Sequence, residues 1–351
     1  MRQLVFLGPG RAEWQEAPEP AVGGPAEAIV APVAVATCDL DVAILRGTFK
    51  AFPGSFPLGH EGVARVTDVG EAVSSVSPGD LVVVPFQISC GTCPACQADR
   101  TGNCDSVALG SMYGYEPFGG PWGGFLADRV RVPYADAMLV RLEPPVDPVA
   151  VASLSDNVPD AWRTVGPPLA DAPGSEVLIV GGGGGSVPLY AIQLALALGA
   201  PAVRYLDTDP GALALAAELG AQVSEVRKGS VPRQLGPFPV TVDASMNADG
   251  LGCALRSTGP DGVCTSIGIY LRDTAVPLFD MYVNGITFRT GRGHARPVIP
   301  RLMELVASGR FQPQLVTSRV ADWETAPEAL SDPPRKLILT RDLASRAGPR
   351  S

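Results

Sequence analysis

Four cysteines lie within fifteen residues, in the stretch CGTCPACQADRTGNC, with the spacing C-x2-C-x2-C-x7-C: Cys90, Cys93, Cys96 and Cys104. Four thiolates on one short lobe match the tetrahedral sulfur coordination of a structural zinc ion, which leaves no position open for a substrate. Two disulfides or an iron–sulfur cluster are the alternatives. The chain has only seven cysteines, and the other three are far apart, which favours zinc in a reducing compartment over a disulfide framework.

A second group of metal-ligand residue types flanks this lobe. Cys38 and His60 precede it, and His60 is one of only two histidines in the chain. A catalytic zinc ion takes three protein ligands and keeps one position open. Asp156, in SLSDNVPDAW, is the candidate third ligand. The alternatives are that Cys38 is a small buried apolar residue and that Asp156 only favours a helix start near Pro159.

A glycine run follows the apolar segment VLIV and precedes a helical pattern, which is the context of a dinucleotide-binding turn. Gly181 and Gly183 take the first two positions of G-x-G-x-x-G, and Ser186 stands in the third. Glycine permits a tight turn and lets a pyrophosphate approach the N–H groups at the helix start. The residues expected to contact the cofactor here are Gly181, Gly183, Gly184, Gly185 and Ser186.

Asp207 ends the next predicted strand, 24 residues after Gly183. A carboxylate at this place binds the ribose hydroxyls of NAD and repels the extra phosphate of NADP. The alternative is that Asp207 caps the following helix, a task that Asp209 can perform instead. Because no Arg or Lys occurs between Thr208 and Leu213, the sequence predicts NAD(H) in preference to NADP(H).

The elements that must position these residues change in character along the chain. Residues 1–150 contain short β-type runs separated by Gly, Pro and Asp turns, which predicts a mostly antiparallel β domain. Residues 151–294 alternate strand and helix patterns, which predicts an α/β domain with a parallel sheet covered by helices on both faces. Residues 295–351 contain an amphipathic helix from Ile299 to Ser308 and a closing strand KLILT, and we expect them to rejoin the first domain.

Composition narrows the classes of partner. Of 351 residues, 46% are hydrophobic, and 27 Lys and Arg against 36 Asp and Glu give a net charge of −9, which disfavours nucleic acid. Apolar runs fall short of the ~20 residues that a bilayer span needs. The start, MRQLVFLGPGR, is typical of a strand rather than a signal peptide. The sequence therefore predicts a cytoplasmic protein with a small-molecule substrate and neither nucleic acid nor membrane as partner.

The candidate metal ligands and the glycine turn, taken in their order along the chain, resemble the pattern of a known protein family. The ordered set of Cys38, the Gly-His-Glu around His60, the four-cysteine lobe, the glycine run and Asp207 resembles the zinc-containing medium-chain alcohol dehydrogenase family over essentially the whole chain. The LSD-x-x-P segment around Asp156 is similar to the branch of glutathione-independent formaldehyde dehydrogenases, where Asp is the third ligand. The resemblance implies a GroES-like β-rich catalytic domain (1–150 and 295–351) and a Rossmann doubly wound NAD-binding domain (151–294).

Further roles follow from the resemblance alone. Asp41 would orient His60, and Glu61 would lie close behind the zinc, paired with Lys336 in the closing strand; such outer partners tune ligand basicity. Lys336 is also counted among the residues expected to bind the cofactor. Two zinc ions per chain are implied. So is a homodimer or homotetramer joined by edge strands of the Rossmann sheet, near Gly262–Tyr270.

The chain also departs from the family pattern. Leu40 and Ala43 stand where typical members have a Ser or Thr and a His that pass the alcohol proton to solvent, and Asp39 replaces an Arg that touches the pyrophosphate in some relatives. The proton would then leave through Glu61 or water, or the natural reaction is not simple alcohol oxidation.

The combined interpretation is a zinc-dependent oxidoreductase that transfers hydride between NAD(H) and a small alcohol, aldehyde or ketone, with zinc acting as a Lewis acid on the substrate oxygen. Two alternatives stay open: a carbonyl or iminium reductase of specialised metabolism, and an NAD-binding protein that has lost catalysis. The aromatic loop from Ser111 to Gly124 and Trp162 either line a substrate pocket or pack a mobile loop.

Overall fold

The computed structural model describes residues 1–50, 53–143, 145–227 and 229–341. The strands within these ranges are β1 (Arg2–Gly8), β2 (Arg11–Glu16), β3 (Ala28–Ala36), β4 (Phe56–Pro57), β5 (Glu61–Val69), β6 (Leu81–Val84), β7 (Val130–Val132), β8 (Val140–Arg141), β9 (Val177–Val180), β10 (Val203–Asp207), β11 (Gln222–Glu225), β12 (Phe238–Asp243), β13 (Thr258–Ser266), β14 (Thr287–Arg289), β15 (Arg319–Asp322) and β16 (Leu337–Thr340).

The α-helices in the described residues are α1 (Asp39–Leu45), α2 (Pro94–Gln97), α3 (Glu116–Gly119), α4 (Ala135–Met138), α5 (Pro148–Val151), α6 (Asn157–Asp171), α7 (Ser186–Ala197), α8 (Pro210–Glu218), α9 (Ala248–Arg256), α10 (Leu278–Asn284), α11 (Ala295–Ala307) and α12 (Ala326–Ala329). Short 3-10 turns occupy Thr101–Asn103, Ala152–Ser155, Pro313–Val316 and Trp323–Thr325. Within the described ranges, no helix combines the length and the apolar character that a membrane crossing requires.

The described residues form two compact units. Unit 1 comprises Met1–Pro159, His294–Ala307 and the residues from Pro313 onward, and unit 2 comprises Asp160–Gly293 and Ser308–Gln312. We describe each unit by itself.

Unit 1 is built on a sheet with the strand order β15-β16-β3-β5-β6-β8, in which β7 also pairs with β3. β3 is buried along its whole length and pairs antiparallel with both β5 and β16. The apolar residues of the predicted closing strand thus become part of the N-terminal sheet. This arrangement places the ends of β3 and the start of β5, where the candidate ligands lie, beside each other.

Unit 2 holds a sheet with the order β11-β10-β9-β12-β13-β14, and every pairing in it is parallel. β9 is completely buried, as its uninterrupted apolar sequence predicts for a central parallel strand. Helices α7, α8, α9 and α10 connect β9 to β10, β10 to β11, β12 to β13 and β13 to β14, respectively. The predicted combination of a mostly antiparallel β-rich domain with a parallel-sheet domain is confirmed.

Two local expectations are wrong. The segment Gly262–Tyr270 was expected at the edge of the parallel sheet, but its strand β13 pairs with β12 on one side and β14 on the other, so β14 and β11 are the edges among the described strands. The helix expected from Ile299 begins at Ala295 instead. Pro297 is compatible with this start because the first N–H groups of a helix have no intrahelical partner.

Candidate metal centres and dinucleotide loop

Cys38 lies at the start of helix α1, directly after strand β3. Its sulfur accepts a hydrogen bond from the backbone N–H of Asp41 at 3.2 Å, and Asp41 Oδ2 accepts one from the N–H of Cys38 at 2.9 Å. This reciprocal capping box satisfies two N–H groups at the helix start. Both side chains are buried, so the position of the sulfur is fixed by the helix rather than by a loop.

His60 directly precedes strand β5, after a glycine that the turn requires. Gly59 has φ +90°, and a Cβ there would lie 2.7 Å from the backbone nitrogen of Leu126. The imidazole of His60 is buried and packs against the rings of Tyr115 and Phe86, with centroids 5.0 and 6.0 Å away. These aromatic contacts restrict the ring, whose Nε2 lies 3.2 Å from Asp156 Oδ2.

Asp156 is brought to His60 by its neighbours in the chain. The N–H of Gly62 donates to Ser155 Oγ at 2.7 Å, and the N–H of Asn157 donates to Glu61 Oε1 at 3.3 Å. Residues 60–62 thus bond to residues 155–157 through three successive contacts. Because two of these contacts do not involve Asp156, its carboxylate is positioned by the backbone around it.

The separation of the donor atoms of His60 and Asp156 fits a zinc ion. Two ligands bound to tetrahedral zinc through nitrogen and oxygen at 2.0–2.1 Å are separated by about 3.3 Å, and His60 Nε2 and Asp156 Oδ2 are 3.2 Å apart. The ligand atoms of Cys38, Asp41 and His60 all lie within 4.8 Å of one another, and this group contains Asp41 rather than the predicted Asp156. Of the two carboxylates, Asp156 is the better third ligand because both oxygens of Asp41 already accept short hydrogen bonds.

The protonation of this cluster also fits a cation site. Burial, and next to it the charge of Asp41, raises the pKa of the Cys38 thiol to about 12. Burial alone would lower the pKa of His60, but Asp41 and Cys38 raise it well above its usual value. A divalent cation replaces such protons and keeps the sulfur as thiolate.

The separation of Asp41 and His60 in the structure differs from the contact that the resemblance implies. Asp41 Oδ1 lies 3.8 Å from His60 Nδ1, which is too long for a hydrogen bond. Within the described ranges, His60 Nδ1 has no hydrogen-bond partner. The same Oδ1 instead accepts the phenolic O–H of Tyr115 at 2.6 Å. Sequence reasoning missed this role of Tyr115, for which the aromatic loop was the only signal.

Glu61 and Lys336 form a fully buried ion pair. Lys336 Nζ lies 3.1 Å from Glu61 Oε2 and donates to the carbonyl oxygen of Thr37 at 2.7 Å. Burial raises the pKa of Glu61 to about 7, although the Lys336 ammonium opposes the shift. The pairing agrees with the sequence expectation, whereas a contact of Lys336 with the cofactor stays a prediction.

The four-cysteine lobe has the geometry of a sulfur-only site. Sγ atoms on tetrahedral zinc at 2.3 Å are separated by about 3.8 Å, and those of Cys93 and Cys104 are 3.9 Å apart. All four ligand atoms lie within 4.8 Å of one another. Burial raises the pKa of Cys90, but hydrogen bonds from Ser106 and Thr92 more than offset this and lower it to about 5. These hydrogen bonds favour the thiolate of Cys90, the form that binds metal. Burial raises the pKa of Cys96 to about 12 and raises that of Cys104.

The glycine run of unit 2 forms the turn between β9 and α7. Gly184 has φ +74°, and a Cβ on Gly181 would lie 2.3 Å from Asp207 Oδ2. A Cβ on Gly183, by contrast, meets nothing within 4 Å. Ser186, the first residue of α7, is fully buried, so a small residue is needed there. Gly181 and Ser186 are therefore required by packing, while Gly183 faces open space.

Asp207 is enclosed by its own loop. Its carboxylate accepts N–H groups of Thr208 at 2.6 Å and Gly184 at 3.3 Å, and the hydroxyl of Tyr205. Asp209 caps helix α8 through the N–H of Ala212, so the capping alternative for Asp207 is not needed. The carboxylate is fully buried. Its place next to the glycine turn agrees with the predicted motif, and its contact with a ribose stays a prediction.

Known proteins share this sequence and fold. The alcohol dehydrogenase GroES-like domain family matches residues 24–143. The chain is 34% identical over 274 residues to the glutathione-independent formaldehyde dehydrogenase of Pseudomonas aeruginosa, covering 74% of this chain but only 65% of that protein. It is 30% identical to a probable zinc-binding alcohol dehydrogenase of Mycobacterium tuberculosis, over 89% of this chain and 79% of that one.

The structure of an alcohol dehydrogenase from Thermus sp. ATN1 superposes with a TM-score of 0.85 at 30% identity, covering 97% of this chain and 99% of the other. The chain therefore belongs to the zinc-containing medium-chain alcohol dehydrogenase family, as its sequence predicts.

Proposed function

We propose that the protein is a zinc-dependent oxidoreductase that transfers hydride between NAD(H) and a small alcohol or carbonyl compound. The observation that carries the proposal is that Cys38 and His60, buried donors of sulfur and nitrogen, lie together in one unit and that the partly exposed carboxylate of Asp156 lies 3.2 Å from His60 Nε2. The names of relatives, a formaldehyde dehydrogenase and alcohol dehydrogenases, support the same chemistry. A second zinc ion in the cysteine lobe would be structural.

The residues of the chain would bind the metal, exclude water and position the ligands as follows. A zinc ion held by Cys38, His60 and Asp156 supplies Lewis acidity toward the substrate oxygen. The aromatic rings of Phe86 and Tyr115 exclude water from one side of His60. The buried Glu61–Lys336 pair fixes the backbone that carries Asp156, through the Asn157 N–H. No hydroxyl or imidazole is present at Leu40 or Ala43, so proton transfer would need another path.

We assign catalysis to residues 1–150 and 295–351 together with Asp156, which lies in unit 1, and cofactor binding to the rest of 151–294. Residues 51, 52, 144, 228 and 342–351 lie outside the described part. NAD(H) is favoured over NADP(H) because the negative charge of Asp207 lies against the glycine turn, with no cation between Thr208 and Leu213. A cytoplasmic location is favoured because none of the seven cysteines forms a disulfide.

Hydride transfer is tested directly by mixing zinc-loaded protein with NADH and a panel of aldehydes, ketones and imines, and with NAD and a panel of alcohols. We expect NADH oxidation with a small aldehyde and a clear preference over NADPH. Turnover confined to imines or bulky ketones would support the reductase alternative. Tight NADH binding without turnover on any panel member would contradict the proposal and support a protein that has lost catalysis.

The two glycines of the turn should respond differently to a methyl group. Gly183→Ala is expected to weaken NADH binding at least about tenfold, or about 1.4 kcal/mol, because the backbone can no longer approach the pyrophosphate closely. Its stability should not change, since the added Cβ meets no atom. Gly181→Ala should lower the free energy of unfolding by about 1–3 kcal/mol through overpacking. Calorimetry for binding and urea unfolding separate the two effects, and tight NADH binding by Gly183→Ala would exclude this turn as the site.

We further propose that unit 2 forms a homodimer through strand β14 and helix α10. β14 is an edge strand, and antiparallel pairing with β14 of a second copy about a two-fold axis would continue the sheet. Beside it, α10 exposes a group of large apolar side chains, each at least 62% accessible: Leu278, Phe279, Tyr282 and Val283. Such a patch on a free surface is typical of an interface.

The dimer surface is tested by placing a charge in it. Tyr282→Asp is expected to halve the mass measured by light scattering, whereas Val223→Asp, at an exposed position of the opposite edge strand β11, should leave the mass unchanged. A wild-type monomer, or a dimer that survives Tyr282→Asp, would contradict this surface.

A further inference from the structure

Asp243, the last residue of strand β12, is a fully buried carboxylate in unit 2. Its Oδ1 accepts the backbone N–H and the hydroxyl of Ser245 at 3.1 and 2.6 Å, and its Oδ2 accepts the hydroxyls of Ser266 and Tyr270 at 2.7 and 2.8 Å. A carboxyl group that accepts four hydrogen bonds and donates none is ionised. Asp243 therefore carries a buried negative charge.

Within the described ranges, no Lys or Arg forms an ion pair with Asp243. Arg163 donates to the carbonyl oxygen of Ser266, but it is already paired with Asp160. The donors around Asp243 are neutral hydroxyl and amide groups, which stabilise the charge without cancelling it. Because the surroundings are buried, the charge acts on neighbouring groups more strongly than it would in water.

The sheet places Asp243 beside the glycine turn. β9 lies between β10 and β12, and the strand order runs outward from it in opposite directions, to β11 and to β14. Asp243 pairs with Val180, directly before the turn, and a Cβ on Gly182 would overlap the carbonyl oxygen of Ser245. Sheets of this order bind a dinucleotide in the crevice where the strand order reverses. The loop after Asp243 therefore borders that crevice.

This loop is held in one conformation. Met246 has φ +57°, a left-handed backbone that a residue with a side chain keeps only when its surroundings enforce it. On either side of it, the hydroxyls of Ser245 and Tyr270, which also bond to Asp243, lie 3.2 Å from the carbonyl oxygen of Asn247. The carboxylate and the loop are thus fixed together, so the charge keeps its place when a ligand binds.

The two acids at this edge of the sheet lie on opposite sides of β9. Asp207 ends β10, the side assigned above to the adenosine ribose. Since the two nucleotides of a dinucleotide occupy opposite halves of such a sheet, the nicotinamide nucleotide falls on the side of Asp243. The nicotinamide ring is positively charged in NAD⁺ and neutral in NADH, whereas the adenosine and the pyrophosphate are the same in both.

We propose that Asp243 discriminates between the oxidation states of the cofactor, because its buried charge stabilises bound NAD⁺ relative to bound NADH. The effect favours capture of NAD⁺ and release of NADH, as alcohol oxidation requires. This inference rests on the proposed NAD(H) site. It adds a selectivity that neither the glycine turn nor Asp207 can supply, since their expected contacts are with the parts that the two forms share.

Calorimetric titration of the zinc-loaded protein with NAD⁺ and, separately, with NADH tests the charge without turnover. In Asp243→Asn, the ratio of the Kd for NAD⁺ to the Kd for NADH is expected to rise at least about fivefold, because the lost charge acts on the positive ring alone. The amide fits the site, since the hydroxyls of Ser266 and Tyr270 can rotate to accept its N–H groups. Asp243→Ser, a second neutral variant with room for a water molecule, should raise the ratio as well.

Ser266→Ala is the matched control, because it removes one donor to the same carboxylate and keeps the charge. Its ratio should equal that of the wild type, even where both affinities fall. An unchanged ratio in either neutral variant that urea unfolding shows to be folded, or an equal rise in Ser266→Ala, would overturn the role of Asp243. If the wild type binds neither form, the cofactor site itself is wrong; if it binds both and the neutral variants keep its ratio, only the charge discrimination is wrong.

Discussion

Asp156→Ala is expected to lower kcat/KM by about 10³-fold or more. The loss of one of three protein ligands would release the metal ion, and its Lewis acidity contributes several kcal/mol of transition-state stabilisation. The fold should survive. The neighbouring contacts, Gly62 N–H to Ser155 Oγ and Asn157 N–H to Glu61, do not use the missing carboxylate. Steady-state kinetics and zinc analysis check the result, which should show one zinc ion per chain in place of two.

Asp147→Asn is the matched control for this variant. Asp147 caps helix α5 on the surface through the N–H of Val149, and an Asn side chain can accept the same hydrogen bond. It should retain full activity and both zinc ions. Full activity in Asp156→Ala would remove that residue from the metal site and make Asp41 the remaining carboxylate candidate.

Cys93→Ala is expected to have the opposite pattern, a large loss of stability. Zinc binding to structural sites in zinc-finger peptides contributes about 10–16 kcal/mol to folding. Removing one of the four thiolates weakens zinc binding, and we expect this to lower the stability of the lobe by several kcal/mol. Cys93 also accepts N–H groups of Cys96 and Asp105 through its sulfur, so the turn loses internal hydrogen bonds as well. Thermal unfolding and zinc stoichiometry measure both effects.

Cys253→Ala separates this effect from the loss of any buried cysteine. Cys253 is fully buried in α9, far in sequence from both ligand groups, and its removal should cost about 1 kcal/mol without a change in zinc content. If Cys93→Ala were as stable as Cys253→Ala and kept its metal, the lobe would not be a zinc site.

Patterns confined to a short stretch of chain could be predicted from the sequence. The four cysteines share one small lobe whose turns bring the sulfur atoms together, and the glycine turn follows a strand that is recognisable as completely buried. The ligand group spread over Cys38, His60 and Asp156 could be proposed from its residue types and from the scarcity of histidine, but nothing in its spacing indicates that β3 and β5 are neighbours.

Contacts between distant segments were missed or wrong where several arrangements satisfy the same residue types. Tyr115 reaches Asp41 across 74 residues, and no spacing distinguishes it from Tyr113 in the same loop. The expected Asp41–His60 contact is likewise too long for a hydrogen bond. The edge strand was misplaced because β14 is only three residues long, with a sequence too short to predict a strand.

The central claim is that Cys38, His60 and Asp156 bind one metal ion. Anomalous diffraction from crystals of the zinc-containing protein, collected on both sides of the zinc absorption edge, tests it most directly. The account predicts two peaks per chain, one inside the four-cysteine lobe and one bonded to Cys38 Sγ, His60 Nε2 and a carboxylate oxygen of Asp156. A single peak in the lobe, or a second ion bonded to Asp41 with Asp156 turned away, would contradict it.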